Sequence, residues 1–289
     1  MNFPFYIARR YLFSKKKHNA INIISGISVC GVALATLALV CTLSVFNGFQ
    51  DMVDSFFTAF DPQLKITVRE GKVFDAQDER IRAVCELPEV EVFTETLEEN
   101  AMVQYKDRQA MVVLKGVEDN FEELTAIDSI LYGAGEFVLH DSIVNYGVMG
   151  VELVATLGTG LEFVDPLQIY LPKRNAKVNM ANPGASFNRD YLYSPGVVFV
   201  VNQQEYDGKY ILTSLDFLRQ LLDYTTEVSA MELKLKSNVN TSSVQSKIEN
   251  ILGDDFVVQN RYQQQADIFR IMEIEKLISY LFLTFILMI

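Results

Sequence analysis

Histidine is scarce in this 289-residue chain, with only two, and no Cys/His cluster has the spacing of a metal site. No G-x-x-x-x-G-K-[ST] occurs, so nucleotide chemistry belongs to another chain. The run His140-Asp141-Ser142 holds triad residue types, yet sequence neighbours cannot adopt triad geometry among themselves. Carboxylates are abundant but unclustered, and nothing argues for an enzyme. Cysteine is scarce too: of three, Cys30 and Cys41 lie in an apolar stretch and Cys85 stands alone beyond it, which excludes an internal disulfide there. Basic charge is also short. Residues 1–50 hold five of the 25 Lys and Arg and none of the 37 Asp and Glu, leaving 20 against 37 in the rest, a formal −17. Such a surface repels phosphates and argues against nucleic acid.

Charge of either sign is missing between Asn19 and Gln50. Within that gap Ile21–Phe46 is rich in Ile, Val, Leu and Ala, and about 20 such residues cross a bilayer. It is too long for a signal-peptide core and lacks a small-x-small cleavage site before Gln50, so it reads as a retained spanning helix. Arg9, Arg10 and Lys15–Lys17 precede it, while Asp51, Asp54 and Asp61 follow. The basic flank marks the cytoplasmic side and puts the main domain outside. Phe3, Ile7 and Tyr11 share a helix face beside Arg9 and Arg10, which suits an interfacial helix over residues 1–20 in contact with membrane lipid. Ser28, Gly31, Ala35, Ala38 and Thr42 recur at spacings of three and four, a row that lets a second helix approach closely. At the other end, Leu277–Ile289 contains no charged residue. Thirteen residues are too few to span, so the run predicts the start of a second membrane helix in a longer natural protein.

Two segments of the outer domain share a pattern. Gln63–Arg69 alternates as a strand, a helix follows from about Ala76 with Asp75 as N-cap and Pro88 as stop, and a strand begins near Val90. Met231–Lys236 alternates likewise, a helix spans Ser242–Leu252 with Ser242 and Gln245 as a capping box and Gly253 as C-cap, and Phe256–Gln259 closes the unit. The expected class is therefore α+β: one subdomain of two β-α-β units with an inserted mixed α/β subdomain. The boundaries expected are 21–48 for the first membrane helix and stalk, 49–115 and 206–265 for the two parts of the β-α-β subdomain, 116–205 for the insertion, and 266–289 for the second stalk and helix start. Inside, Met102–Tyr105 and Ala110–Val117 are read as paired strands around a Lys106–Gln109 turn. Glu118–Ile127, Val148–Leu157 and Ser214–Tyr224 read as helices, and Leu167–Leu171 and Val197–Val201 as strands. Pro172–Gly196 is rich in Asn, Pro and Gly and gathers Lys173, Arg174, Lys177 and Arg189 in an otherwise acidic domain. A long hairpin that docks an anionic partner is the functional reading of that stretch.

The stretch Ile7–Phe49, above all Leu43–Phe49 (LSVFNGF), resembles the first membrane segment of lipoprotein-releasing (Lol-type) ABC transporter permeases. Val148–Tyr170, Tyr193–Tyr210 and Gln263–Leu277 resemble later parts of that family in the same order, over nearly the whole chain. The resemblance implies an inner-membrane, multi-pass permease with a macrolide-exporter-like periplasmic domain and a cytoplasmic N-terminus. It also implies a second permease subunit, alike or different, and two cytoplasmic ATPase subunits that hold the ATP, with no cofactor in this chain. Lipoprotein would be lifted from the membrane and passed to a periplasmic carrier. Lipoprotein entry is expected around Val45, Phe46, Phe49, Met52, Val53 and Phe56. Carrier docking is expected on Lys173, Arg174, Lys177, Met180, Pro183 and Arg189, where the stretch departs from the family in length and composition. Alternatives are a macrolide-exporter-like efflux permease, a cell-division-type signalling permease without transport, and a single-span anchored binding protein.

Overall fold

The computed structural model describes residues 3–12, 19–54, 60–174 and 186–264, with 274, 277–281 and 284 of the C-terminal segment. The chain divides into two compact units, Met1–Phe56 with Ala266–Ile289, and Phe57–Gln265.

In the first unit, α1 spans Phe3–Leu12 and α2 spans Asn19–Asp54. A 36-residue helix is about 54 Å long, well over the roughly 30 Å of a bilayer's hydrocarbon. Within α2, Ile23–Val45 is long and apolar enough to cross a membrane, with mean hydropathy 2.3. Residues 277–281 are helical as well, and Leu277, Ile278, Tyr280 and Leu281 expose their side chains instead of packing into a core.

The second unit begins with β1 (Leu64–Val68), β2 (Phe74–Asp75), α3 (Glu79–Cys85) and the 16-residue β3 (Val90–Tyr105). A tight turn leads to β4 (Arg108–Val117), then α4 (Phe121–Leu124), a 3-10 turn at Ile127–Ile130, β5 (Leu131–Gly133) and β6 (Val148–Met149). Next come α5 (Val151–Leu157), β7 (Leu167–Pro172), β8 (Phe187–Leu192), β9 (Val197–Phe199), α6 (Gln204–Asp207), β10 (Tyr210–Ser214) and α7 (Leu215–Leu222). The unit closes with β11 (Glu227–Val228), β12 (Ala230–Leu235), α8 (Thr241–Leu252), β13 (Phe256–Asn260) and α9 (Arg261–Gln264).

The main sheet runs β13-β1-β12-β3-β4-β10-β6, with β7 on a second stretch of β3 and β8 on β7. Its first four strands are two interleaved β-α-β units: β1 and β3 flank β12, and β12 and β13 flank β1, all antiparallel to their neighbours. Each unit alone would leave a strand-wide gap, so neither sheet half forms without the other. Apolar residues of α3 (Ile81, Val84) and α8 (Val244, Ile248, Leu252) cover one face over Leu64, Ile66, Met231 and Leu233. The same face continues under α5 and α7, where Leu153, Leu157, Leu215 and Leu218 meet Leu97, Val103, Leu114 and Ile169. β4 and β10 are parallel neighbours, Leu114 opposite Ile211, so the intervening chain, which adds β6 to β10 and β7 to β3, crosses back toward the start of β4 before β10 begins. Near β5 and β9 the backbones nearly touch: a Cβ on Gly135 would clash with the Pro195 carbonyl oxygen.

Local starts differ from expectation. Asp75 is not the N-cap of α3: it sits in β2, whose pairing with β11 keeps it extended, and Asp78 caps the helix by accepting from Arg80 N at 2.8 Å. Ser242 and Gln245 form no capping box, because Asn240 accepts from Ser243 N at 3.2 Å. The Gln245 amide instead donates to Val258 O (2.9 Å) and Gln263 Oε1 (2.8 Å), closing the outer edge of β13. The Lys106–Gln109 turn shortens to Lys106-Asp107, since Tyr105 pairs with Arg108 and Lys106 takes φ +52. Glu118–Ile127 is helical only over Phe121–Leu124, and Val148–Met149 is strand before α5 starts after Gly150. Gly253 and Ser214 end α8 and cap α7 as their residue types dictate.

Candidate functional site

α2 carries five of the six expected entry residues, Val45, Phe46, Phe49, Met52 and Val53, near its C-terminal end. It is helical through Asp54, which brings Val45, Phe49, Met52 and Val53 onto one stripe with Phe46 beside it. Val45 is 73% exposed. Side chains of Phe46, Phe49, Met52 and Val53, and all of Phe56, lie outside the described residues. The small-residue row also falls on one face. Ser28 and Thr42 turn their hydroxyls back to Ile24 O (3.0 Å) and Ala38 O (2.8 Å), so the row of Ser28, Gly31, Ala35, Ala38 and Thr42 has low relief and spent donors.

The basic stretch is a hairpin at its base. β7 and β8 pair from Leu167–Leu192 to Pro172–Phe187, and Lys173 N donates to Ser186 O at 2.9 Å beyond the last pair. Leu167, Ile169 and Leu171 alternate into the core, leaving Gln168 and Tyr170 on the outer face. Arg189, register partner of Tyr170, lays its guanidinium 5.5 Å from that ring. Arg174 lies 5.0 Å from the Tyr224 ring, just past α7. Asn188 Nδ2 donates to Leu221 O at 2.6 Å and pins β8 to the end of that helix. Rings hold both guanidiniums by cation–π attraction while both residues stay exposed. Lys173 is exposed beside them; Lys177, Met180 and Pro183 lie outside the described residues.

His140, Asp141 and Ser142 do not form a catalytic group. His140 Nε2 lies 3.0 Å from Asp119 Oδ1 on the surface. Asp141 spends its carboxylate on Ile143 N, Val144 N and the Tyr146 hydroxyl, and those backbone donors hold it below the usual aspartate range. Among the described residues no cluster of three or more His, Cys, Asp or Glu could hold a metal.

Sequence reasoning missed a charge ladder, buried at Lys115 and Glu232 and half-buried at Lys65 and Glu98. Lys65, Glu232, Glu98 and Lys115 come from β1, β12, β3 and β4 and share the sheet face opposite α3 and α8. Lys115 Nζ sits 2.6 Å from Glu232 Oε1 and 3.6 Å from Glu98 Oε1, and Lys65 Nζ sits 3.4 Å from Glu98 Oε1. The Lys115 and Glu232 side chains are 2% and 0% exposed. Burial pushes the Glu98 carboxyl up, but Lys65 and Lys115 outweigh it and hold the group below the usual glutamate range. Burial likewise would lower Lys65, and Glu98 and Glu232 raise it instead. The available signal was Lys115 inside the apolar run AMVVLKGV.

These features define a class: a chain with a membrane-length apolar helix and a large α+β unit on a split β-α-β sheet with a long excursion. Residues 25–251 match the MacB-like periplasmic core domain, and the chain belongs to that family. It is 22% identical over 289 residues to the lipoprotein-releasing system transmembrane protein LolE of Haemophilus influenzae, covering 97% of this chain and 66% of that one. LolC of Xylella fastidiosa is 22% identical over 284 residues, with the same coverage. LolC of Buchnera aphidicola is 23% identical over 291 residues, covering 96% and 66%. The chain thus spans 66% of the length of these relatives. Among solved structures, the periplasmic region of MacB from Actinobacillus actinomycetemcomitans aligns at TM-score 0.47 and 11% identity, over 71% of this chain and 91% of that one. The extracellular domain of the transporter YknZ from Gram-positive bacteria aligns at 0.46 and 10%, over 68% and 99%.

Proposed function

We propose that this chain is a membrane subunit of a lipoprotein-releasing ABC transporter of the inner membrane. The observation that carries the reading is the alignment with lipoprotein-releasing system transmembrane proteins along 97% of the chain, from the apolar helix through the outer unit. Its role is mechanical: ATP is bound and hydrolysed on cytoplasmic partner subunits, and a second permease subunit, alike or different, completes the membrane part. The outer unit is periplasmic, in keeping with the basic flank ahead of α2. The apolar segment 277–289 begins a second membrane helix that packs against the row Ser28–Thr42. Residues 116–205 form an inserted subdomain, supported by the pairing of β4 and β10, the strands on either side of it in sequence, as neighbours in the sheet. Lipoprotein enters along the stripe Val45, Phe49, Met52 and Val53, with Phe46 and Phe56, and the periplasmic carrier docks on the hairpin cations Lys173, Arg174, Lys177 and Arg189 with Met180 and Pro183.

The test reconstitutes the intact gene product, with the ATPase that co-purifies in mild detergent, into liposomes holding a diacylated reporter lipoprotein. ATP-dependent transfer of the reporter to soluble carrier is the expected result. A competing reading, efflux of small molecules, draws on the MacB-like family itself. ATP-driven efflux of a macrolide without lipoprotein transfer overturns the proposal in favour of that reading.

A further inference from the structure

Where the chain enters the outer unit, it is gripped from three directions. The Phe60 ring stacks on Tyr206 at 5.0 Å and meets Phe199 at 4.8 Å and Tyr210 at 6.0 Å. Lys115 Nζ lies over Phe60 and Phe121, 5.9 and 5.6 Å from the two ring centres. Asp61 is buried, and its carboxylate accepts from the Tyr206 hydroxyl at 3.1 Å. The Asp61 and Pro62 carbonyls accept from Arg261 Nε (2.9 Å) and the Gln264 amide (3.1 Å), so the first and last residues of the unit are clasped together. Behind this entry lies the charge ladder. Glu98 accepts from Lys65 and, at 3.4 Å, from the Tyr210 hydroxyl, and Glu232 accepts from Lys115 and, at 3.5 Å, from Thr96.

We infer that this ladder, with Tyr206, Tyr210 and Asp61, is a registration joint that makes the entry segment, the split β-α-β sheet and the α6–β10 return strand one rigid piece. Directionality sets the ladder apart from the apolar contacts around it. An apolar contact tolerates a slide of an ångström or two, because burial depends on area and not on direction. A buried ion pair does not, since a slide leaves a charge unpaired where water cannot reach it. Lys115 is tied to β12 through Glu232 and to β3 through Glu98, and it roofs the entry ring Phe60. The Tyr206 and Tyr210 hydroxyls tie the return strand to Asp61 on one side and to Glu98 on the other. A displacement of the entry therefore breaks several charge-assisted bonds at once, and the three parts move together or separate together. By the same physics the pair is exchangeable for apolar side chains at little cost in stability, so registration and stability can be tested apart. The inference does not rest on the transport reading.

The test is hydrogen exchange by mass spectrometry on the intact gene product in nanodiscs, with α8 as internal reference. In the double variant Lys115→Met/Glu232→Leu, exchange over 60–68 and 206–214 is expected to rise about tenfold while α8 stays protected. Unchanged exchange in both segments overturns the inference, because aromatic packing alone then holds the joint. An equal rise in α8 also overturns it, because the pair is then ordinary stabilisation. Tyr206→Phe keeps the stacked ring and deletes only the bond to Asp61, so it provides the same test if the double variant fails to fold. A rise confined to 60–68 and 206–214 supports the joint, and none overturns it.

Discussion

The two faces of the four-stranded β-α-β sheet are built on opposite principles. Under α3 and α8, Leu64, Ile66, Met231 and Leu233 meet Ile81, Val84, Val244 and Ile248 without a charge among them. One residue along each strand, the other face carries Lys65, Thr94, Thr96, Glu98 and Glu232, covered in part by Phe60, Phe121 and Tyr210 and by Lys115 from the next strand. The apolar face draws its strength from area and is tolerant of exact placement. The charged face adds little net stability over an apolar equivalent, yet it specifies which atoms must meet. One sheet thus separates holding together from holding in register.

Breaking one charge should cost most. Lys115→Ala leaves the Glu232 carboxylate buried and uncompensated, and urea unfolding of the intact protein should show a loss of about 3–5 kcal/mol. A loss under about 1 kcal/mol would mean that Glu232 is neutral or watered, and the contrast between the faces would fail. On the apolar face, Ile248→Ala removes a fully buried side chain and should cost about 2–5 kcal/mol, with exchange rising in α8 and β1 and not in 206–214.

Acid sharpens the contrast from the other side. Glu98 titrates below its ordinary value in the folded protein, so its stabilisation is complete above the unfolded value of 4.5. It is lost as pH falls through the folded value, when the carboxyl takes up a proton in both states. Glu98→Gln should remove that part of the acid sensitivity, as read from unfolding midpoints between about pH 3 and 7. The smallest effect on stability belongs to the hairpin. Arg174→Glu with Arg189→Glu gives up two exposed cation–π contacts and should lower the unfolding free energy by no more than about 1 kcal/mol each. Carrier capture in a pull-down should nevertheless be lost, and retained capture would remove the hairpin from the proposed docking site.

Much of the helix-covered face was legible in the sequence. The alternation in Gln63–Arg69 and Met231–Lys236 and the helical spacing of Val244, Ile248 and Leu252 follow from periodicity, which depends only on backbone geometry. Cap positions were less legible, because several Asp, Asn and Ser residues compete near each helix start. Asp75 lost to Asp78 only because β2 pairs with β11, some 150 residues away in sequence. The basic hairpin was visible as a composition anomaly, whereas its anchoring rings, Tyr170 and Tyr224, were not. The charge ladder was hidden for a different reason. Polar residues alternating along a strand read as a solvated face, and only chain from elsewhere decides whether water is there.

The sequence by itself determined the membrane-length helix, the charge asymmetry across it and the two β-α-β patterns. Each is a local property, set by residues within a turn or two of one another. Tertiary structure alone decided how the two units interleave, that β3 runs unbroken into the hairpin with β4, and that Lys115 and Glu232 meet in the dark. Those outcomes depend on burial, and burial is a property of what the rest of the chain covers, which no local pattern encodes.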